Sequence, residues 1–292
     1  MTRPNKILVT GSSGFIGKYF INKLKSENIE FVECDLALGT DILDLDAVLA
    51  LPPVDTVVHL AANTNVQEAF KNPYGLYHDN ILGTLNVLEY CRQKKVKRIV
   101  FSSSYVYGKP QYLPVDEKHP IEIDNPYGRS KLIGESLVSA FSKDNNMDAV
   151  ILRNFNIFGA HQNSRFLIAT ILDQLFSDAK EISLKDLSPK RDFIYIKDII
   201  DAFFVSCQLE SLKGINIFNL GIGQSYSVEE VLALVFKVSG VRKPVVGLGV
   251  SRRNEIPDTV ADIKQAKEQL GWQPSFTFEE GLKDMLKIEG RI

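Results

Sequence analysis

Four of the ten tyrosines in this 292-residue chain have a lysine four positions later: Tyr19–Lys23, Tyr90–Lys94, Tyr105–Lys109 and Tyr127–Lys131. On a helix that spacing puts both side chains on one face. A phenol ordinarily ionises near pH ~10, and an ammonium beside it favours the phenolate, which can then exchange protons near neutrality. Context separates the four pairs. Tyr19 falls on the core side of an apolar-periodic segment, where packing accounts for it. Tyr90 ends a helical pattern and feeds the basic turn "CRQKKVKR", in which Lys94 is solvated. Tyr105–Lys109 spans Gly108 and precedes Pro110, which breaks the helix that the pair would need. In "NPYGRSK", Pro126 suits a first helical turn and helix formers follow. Tyr127 and Lys131 are the pair.

A strand ending in "FSSS" lies upstream, and the C-terminal edge of such strands is where ligands sit in open α/β sheets. A serine hydroxyl there can share the hydrogen bond to a substrate oxygen while hydride moves to or from its carbon. Ser103 is the candidate. Without Tyr127 the triple serine would read as an ordinary strand end.

A second constellation lies at the N-terminus, in "KILVTGSSGFIGKYF". Gly11, Gly14 and Gly17 follow an apolar strand and open a helix. Glycines there permit a tight turn and close approach to a pyrophosphate, and the helix start offers free N–H groups. Three glycines alone would fit a structural turn. A second strand ending in Asp35 adds a carboxylate suited to ribose hydroxyls and repellent to a 2′-phosphate, and Leu36–Ala37 supplies no arginine to neutralise one. NAD is expected over NADP.

The elements that must carry these groups follow from periodicity. "KILVT" (6–10), "EFVEC" (30–34), "DTVVHLA" (55–61), "RIVFSS" (98–103) and "DAVILRN" (148–154) are apolar at nearly every position, as strands of a parallel sheet buried on both faces are. Helical patterns at 15–27, 76–93 and 126–144 alternate with them, which means a doubly wound α/β sheet. Beyond residue 155 the pattern loosens. A helix at 164–177, the run 191–207, the segment 214–223 and helices at 227–239 and 278–289 predict a smaller mixed α/β lobe. The division expected is 1–155 for the cofactor and 156–292 for the substrate, with part of 191–223 returning to the first.

Composition excludes other classes. The chain is 45% hydrophobic and 24% charged with a net charge of −2, and no basic aromatic stripe favours nucleic acid or an anionic membrane. Three scattered cysteines make neither a disulfide framework nor a metal cluster and fit a reducing cytosol. No apolar run nears the ~18 residues of a membrane helix, and "MTRPNKILVTG" has no signal-peptide core. A soluble cytoplasmic protein is expected.

Nine segments in order resemble the extended short-chain dehydrogenase/reductase family, in its nucleotide-sugar epimerase/dehydratase branch, over nearly the whole chain. They are "GSSGFIG", "HLAA" (59–62), "NILGTLNVLE" (80–89), "FSSSYVYG" (101–108), "PYGRSK", "LRNFNIFG" (152–159), "RDFIYIKDI" (191–199), "FNLGIG" (218–223) and "ADIKQAKEQLGWQP" (261–274). The resemblance implies a Rossmann domain holding NAD through Gly11, Gly14, Phe15, Ile16, Gly17, Asp35, Asp41, Ile42, Leu60 and Ala61. Asn80 would be structural or near the cofactor. Tyr127 and Lys131 would be catalytic, with Ser103 by alignment on "VYG" and Ser104 if the triple serine slips by one. Asn156 would touch a sugar diphosphate. Arg191 and Arg252 would face it, as guanidinium forks suit phosphate, with Arg253 competing because "SRRNE" departs from the usual pattern. A homodimer through the helices at 76–93 and 126–144, as a four-helix bundle, is also implied.

The departures from the family pattern narrow the chemistry. Sugar-nucleotide 4,6-dehydratases carry an Asp–Glu pair where this chain has Ser104 and Tyr105, so elimination of water is not expected. "KDLSPK" replaces the usual Gly-Asp-Gly turn before "RDF", in the region that shapes the base and sugar pocket. His161 is either a second acid or a hydrogen-bonded loop histidine. The leading expectation is a 4-epimerase. A 4-ketoreductase making a deoxysugar nucleotide would use the same residues once per turnover. A non-catalytic dinucleotide sensor would have no need of both Tyr127 and Lys131.

Overall fold

The computed structural model describes residues 6–104, 106–250 and 255–292. Its first part alternates as β1 (Lys6–Thr10), α1 (Phe15–Ser26), β2 (Glu30–Cys34), α2 (Leu45–Leu49), β3 (Thr56–His59), α3 (Val66–Ala69), α4 (Pro73–Tyr77), α5 (Gly83–Lys94), β4 (Arg98–Ser103), α6 (Pro126–Asn145) and β5 (Asp148–Asn154). There follow β6 (Asn156–Phe158), α7 (Leu167–Leu175), β7 (Ile182–Leu184), β8 (Lys190–Tyr195), α8 (Ile196–Gln208), β9 (Ile215–Leu220), β10 (Ser225–Ser227), α9 (Val228–Ser239), β11 (Val245–Gly247) and α10 (Phe278–Ile288).

Six parallel strands pair in the order β2-β1-β3-β4-β5-β9. The chain leaves β1 toward β2 and returns to β3 on the other side, so the order reverses between β1 and β3. A crevice at the strands' C-terminal ends belongs there. Alternate residues feed two cores. Ile7, Val9, Val58, Val100 and Leu152 pack with Phe20, Leu24, Ile199 and Phe203 on the α1–α8 face. Leu8, Val57, Ile99, Phe101 and Ile151 pack with Val87, Leu88 and Val138 on the α5–α6 face. That double burial is why the strands are apolar throughout. The exception is β2, an edge strand whose Glu30 and Glu33 are exposed.

The 76–93 helix differs from expectation. It is one rod in which α4 runs into α5 through a widened π-type turn at His78–Leu82. The extra residue turns Asn80 inward, where it serves the site. The 191–207 run divides: β8 gives way to α8 at Tyr195–Ile196, and β9 joins the cofactor sheet beside β5. The remaining segments form a three-stranded β10-β8-β6 sheet and a two-stranded β11-β7 pair. Capping boxes at Ser227 and Thr277 start α9 and α10. Among the described residues no helix is long and apolar enough to cross a membrane.

Candidate active site

The glycine loop sits at the crevice. Gly11 takes φ +70°, and a Cβ on it would stand 2.7 Å from the Ala61 nitrogen, at the end of β3. A Cβ on Gly17 would collide with the Gly11 carbonyl oxygen and with Ser12. The loop is therefore pressed between α1 and the turn after β3, with no room for side chains. No side chain caps α1 at Gly14, so its first N–H groups stay available to an anion. Gly17→Ala is expected to push α1 off the loop and weaken dinucleotide binding by tenfold or more, about 1.4 kcal/mol, in a fluorescence titration. Unchanged affinity would remove the loop from the site.

Asp35, at the end of β2, accepts from the Ser13 N–H at 3.0 Å and from the Ala37 N–H at 2.9 Å. Its carboxylate is thus fixed against the glycine loop. Phe15 and Ile16, in the first turn of α1, and Leu60 and Ala61, after β3, are half-buried around that loop. Asp41 and Ile42 lie further round. Asp41 closes a turn onto the Leu43 N–H, and Ile42 packs on Gly83 while its carbonyl accepts from Asn86. Asn80 holds the post-β3 loop: its Oδ1 accepts from the Asn63 N–H at 2.7 Å, and its Nδ2 donates to Asn63 O and Ser130 Oγ. Its side chain ties that loop to α6.

Behind the loop, His59 bridges Thr10 and Thr84 at 2.7 and 3.1 Å. Burial, and then the neighbouring Lys131 charge, push its pKa down to about 3. A neutral imidazole therefore sutures β1, β3 and α5.

The helix carrying Tyr127 begins as its sequence requires, with the Asn125 side chain accepting from the Gly128 N–H at 2.7 Å and Pro126 in the first turn. Tyr127 is 7% exposed and packs against Ala69 and Leu76 from α3 and α4. Lys131, one turn on, is buried against the end of β4. Its Nζ donates to the Ser102 carbonyl at 2.9 Å and stands 5.1 Å from the Phe101 ring centroid. Burial pushes its pKa down to about 8, with the Glu135 carboxylate opposing.

Ser103 does not stand where its expected role requires. Strand alternation puts it on the Phe101 face, against α6. There it is fully buried, and its hydroxyl donates to Glu135 Oε1 at 2.5 Å. Glu135 also pairs with Arg153 at 2.7 Å, and Arg153 donates to Tyr107, whose hydroxyl donates to Asn219. Ser104, one residue past the strand, is half-buried at the open edge, and its hydroxyl donates to the Asn154 carbonyl at 2.8 Å.

Two of the expected diphosphate contacts lie on the neighbouring strands β6 and β8. Asn156, on β6, is half-buried with its Nδ2 3.4 Å from the Asp192 carbonyl. The Arg191 guanidinium is engaged by Glu255 and by the Lys190 and Ile256 carbonyls. Its neighbour Asp192 is buried and accepts from Ile222, Gly223 and Ala261 N–H groups, which ties β8 to the ends of two other segments. Arg252 and Arg253 lie outside the described residues. His161 lines a separate cavity of about 250 Å³ with Asp173, Glu289 and Arg291, and its backbone N–H donates to Glu289.

Sequence reasoning missed Glu135, Asn154 and Glu255. Glu135 had a signal, since it lies four residues after Lys131 and so continues the Tyr127–Lys131 face. Asn154 and Glu255 had none, because their partners are distant in the chain.

The chain is similar throughout its length to known proteins. A putative UDP-glucose 4-epimerase from Methanocaldococcus jannaschii is 34% identical, covering 95% of this chain and 96% of that one. The crystal structure of a UDP-glucose 4-epimerase from Thermotoga maritima with UDP-glucose superposes with a TM-score of 0.90 at 25% identity, over 98% of this chain and 99% of that one. MoeE5 in complex with UDP-glucose and NAD superposes with a TM-score of 0.89 at 27% identity, over 98% and 99%. The NAD dependent epimerase/dehydratase family matches residues 7–221. With a Rossmann sheet and a family match over most of its length, the chain belongs to the NAD dependent epimerase/dehydratase family.

Proposed function

We propose that this protein is an NAD-dependent UDP-hexose 4-epimerase. The observation that carries the reading is the Tyr127–Lys131 pair on one face of α6, with the lysine buried at the end of β4. The 4-epimerase names of relatives matching over the full length support the same reading.

Gly11, Gly14, Gly17 and Asp35 hold the dinucleotide, with Phe15, Ile16, Leu60 and Ala61 around them and Asp41 and Ile42 toward adenine. Bound there, NAD supplies an acceptor and then a donor of hydride at sugar C4. Tyr127 takes the 4-hydroxyl proton and returns it after the sugar has turned its other face. The Lys131 ammonium holds the phenolate in place between the two transfers. Ser104 holds the 4-oxygen. Its hydroxyl donates to the Asn154 carbonyl, and the rotor can turn the same proton to the sugar oxygen. Arg191 turns from Glu255 to the diphosphate, joined by Asn156 and Arg252. Exposed Leu85 on α5 and Ile133 on α6 suit the pairing of two copies in a homodimer.

The serine assignment yields a sharp contrast. Ser104→Ala removes one preorganised hydrogen bond to the reacting oxygen and is expected to lower kcat about 10²–10³-fold. Ser103→Ala instead takes a donor from buried Glu135, costing about 1–3 kcal/mol of stability with kcat nearly intact. Steady-state kinetics and thermal melts read both, and the opposite pattern would return the role to Ser103.

The reading itself is tested by incubating purified protein with UDP-glucose and no added cofactor. NMR should show an equilibrium mixture of the two C4 epimers. Turnover only of a 4-keto sugar with stoichiometric NAD(P)H would make the protein a 4-ketoreductase.

A further inference from the structure

The ladder to β5 sets Ser102 beside Leu152 and Ser103 beside Arg153, so the sheet fixes the register of this strand end. Successive serines then point to opposite faces, and two residues from outside the strand take up their polar groups. On the α6 face Glu135 takes the Ser103 hydroxyl. The other is Asn154, the last residue of β5, which is 5% exposed.

Asn154 touches all three serines. Its Nδ2 donates to Ser102 Oγ at 3.0 Å and to the Ser103 carbonyl at 3.2 Å, while its own carbonyl accepts from Ser104 Oγ at 2.8 Å. The Ser103 carbonyl can only accept, so the amide must face it with its NH₂ group. Among the described residues the amide oxygen then has no partner. Ser102 is also the residue whose carbonyl receives Lys131 Nζ. The side-chain amide thus holds Ser102 and the Ser103–Ser104 peptide, while the backbone carbonyl of the same residue holds the Ser104 hydroxyl.

We propose that Asn154 is a positioning residue that holds the Ser102–Ser104 strand end and presents the Ser104 hydroxyl to the sugar 4-oxygen; this rests on the function proposed above. Asn154 acts through Ser104 and touches no reacting atom.

The test is a double-mutant cycle on kcat in the full-length enzyme. Asn154→Asp keeps the volume but replaces the donor with an acceptor. It is expected to lower kcat about 10–100-fold, leaving KM for UDP-glucose and the NAD content unchanged. In a Ser104→Ala background the same change should cost less than about threefold, because the hydroxyl it positions is gone. Asn154→Ser, which retains a small donor, should recover part of the lost rate and guards against an Asp variant that fails to fold. Multiplicative losses in the double variant would overturn the proposal, as would a normal kcat in both Asn154 variants or a fall in NAD content and melting temperature that accounts for the lost rate. If Ser104→Ala is itself near normal while Tyr127→Phe is inactive, the inference fails and the 4-epimerase reading stands. If Tyr127→Phe is also near normal, the function fails with it.

Discussion

Tyr127→Phe is expected to lower kcat about 10²–10⁴-fold, the range a single proton-transfer group contributes, while NAD still co-purifies. Tyr127 is 7% exposed and its ring is held by Ala69 and Leu76. Phenylalanine fills the same space, so packing and the glycine loop should be undisturbed. The change removes the phenolic hydroxyl, the proposed proton acceptor. The check pairs steady-state rates with the absorbance of bound dinucleotide. A variant that turns over within a few-fold of wild type with its cofactor in place would take Tyr127 out of the reaction. Loss of the cofactor together with the rate would instead make the ring structural.

Lys131→Met separates charge from packing. The buried ammonium has its pKa pushed down to about 8 from an ordinary 10.5, chiefly by burial. A folded value below the unfolded one means that the unfolded chain binds more protons between the two. Stability therefore rises with pH from about 8 to 10.5. At neutral pH the shift corresponds to roughly 3 kcal/mol of strain. A methionine of similar length relieves it, so the variant should melt no lower than wild type at pH 7. Its kcat should nevertheless fall about 10²-fold or more, because nothing then favours the phenolate. The pH profiles should part as well. Wild-type kcat/KM declines above about pH 8 as the ammonium is lost, whereas the residual rate of the variant keeps climbing as an unaided phenol ionises toward pH ~10. Parallel profiles, or a variant that is active and merely less stable, would show that the lysine charge has no part in the chemistry.

The elements and the crowded glycine turn were legible in the chain because their causes are local. Residues feeding two cores made β1, β3, β4 and β5 apolar throughout. Pro126 marked the start of α6. Gly11, Gly14 and Gly17 report crowding by neighbours only a few residues away or across one strand pair. Edge placement of β2 was less legible, since an edge is a property of the sheet and not of the strand. Nor was the π-type turn that aims Asn80 at Asn63 and Ser130 visible, because a single extra residue barely disturbs a 3.6-residue period.

By itself the sequence determined which chemistry was at hand: a phenol and an ammonium one helical turn apart, and a glycine loop followed by an acid. These are short-range facts about spacing, and a helix or a βα turn converts spacing directly into geometry. Only the tertiary structure decided which serine is fully buried, because Ser103 bonds Glu135 from 32 residues away and half-buried Ser104 bonds the Asn154 carbonyl from 50 residues away. Likewise it found Arg191 paired with Glu255 across 64 residues. Partners so distant meet only in the folded chain, and no periodicity along the sequence records such a meeting.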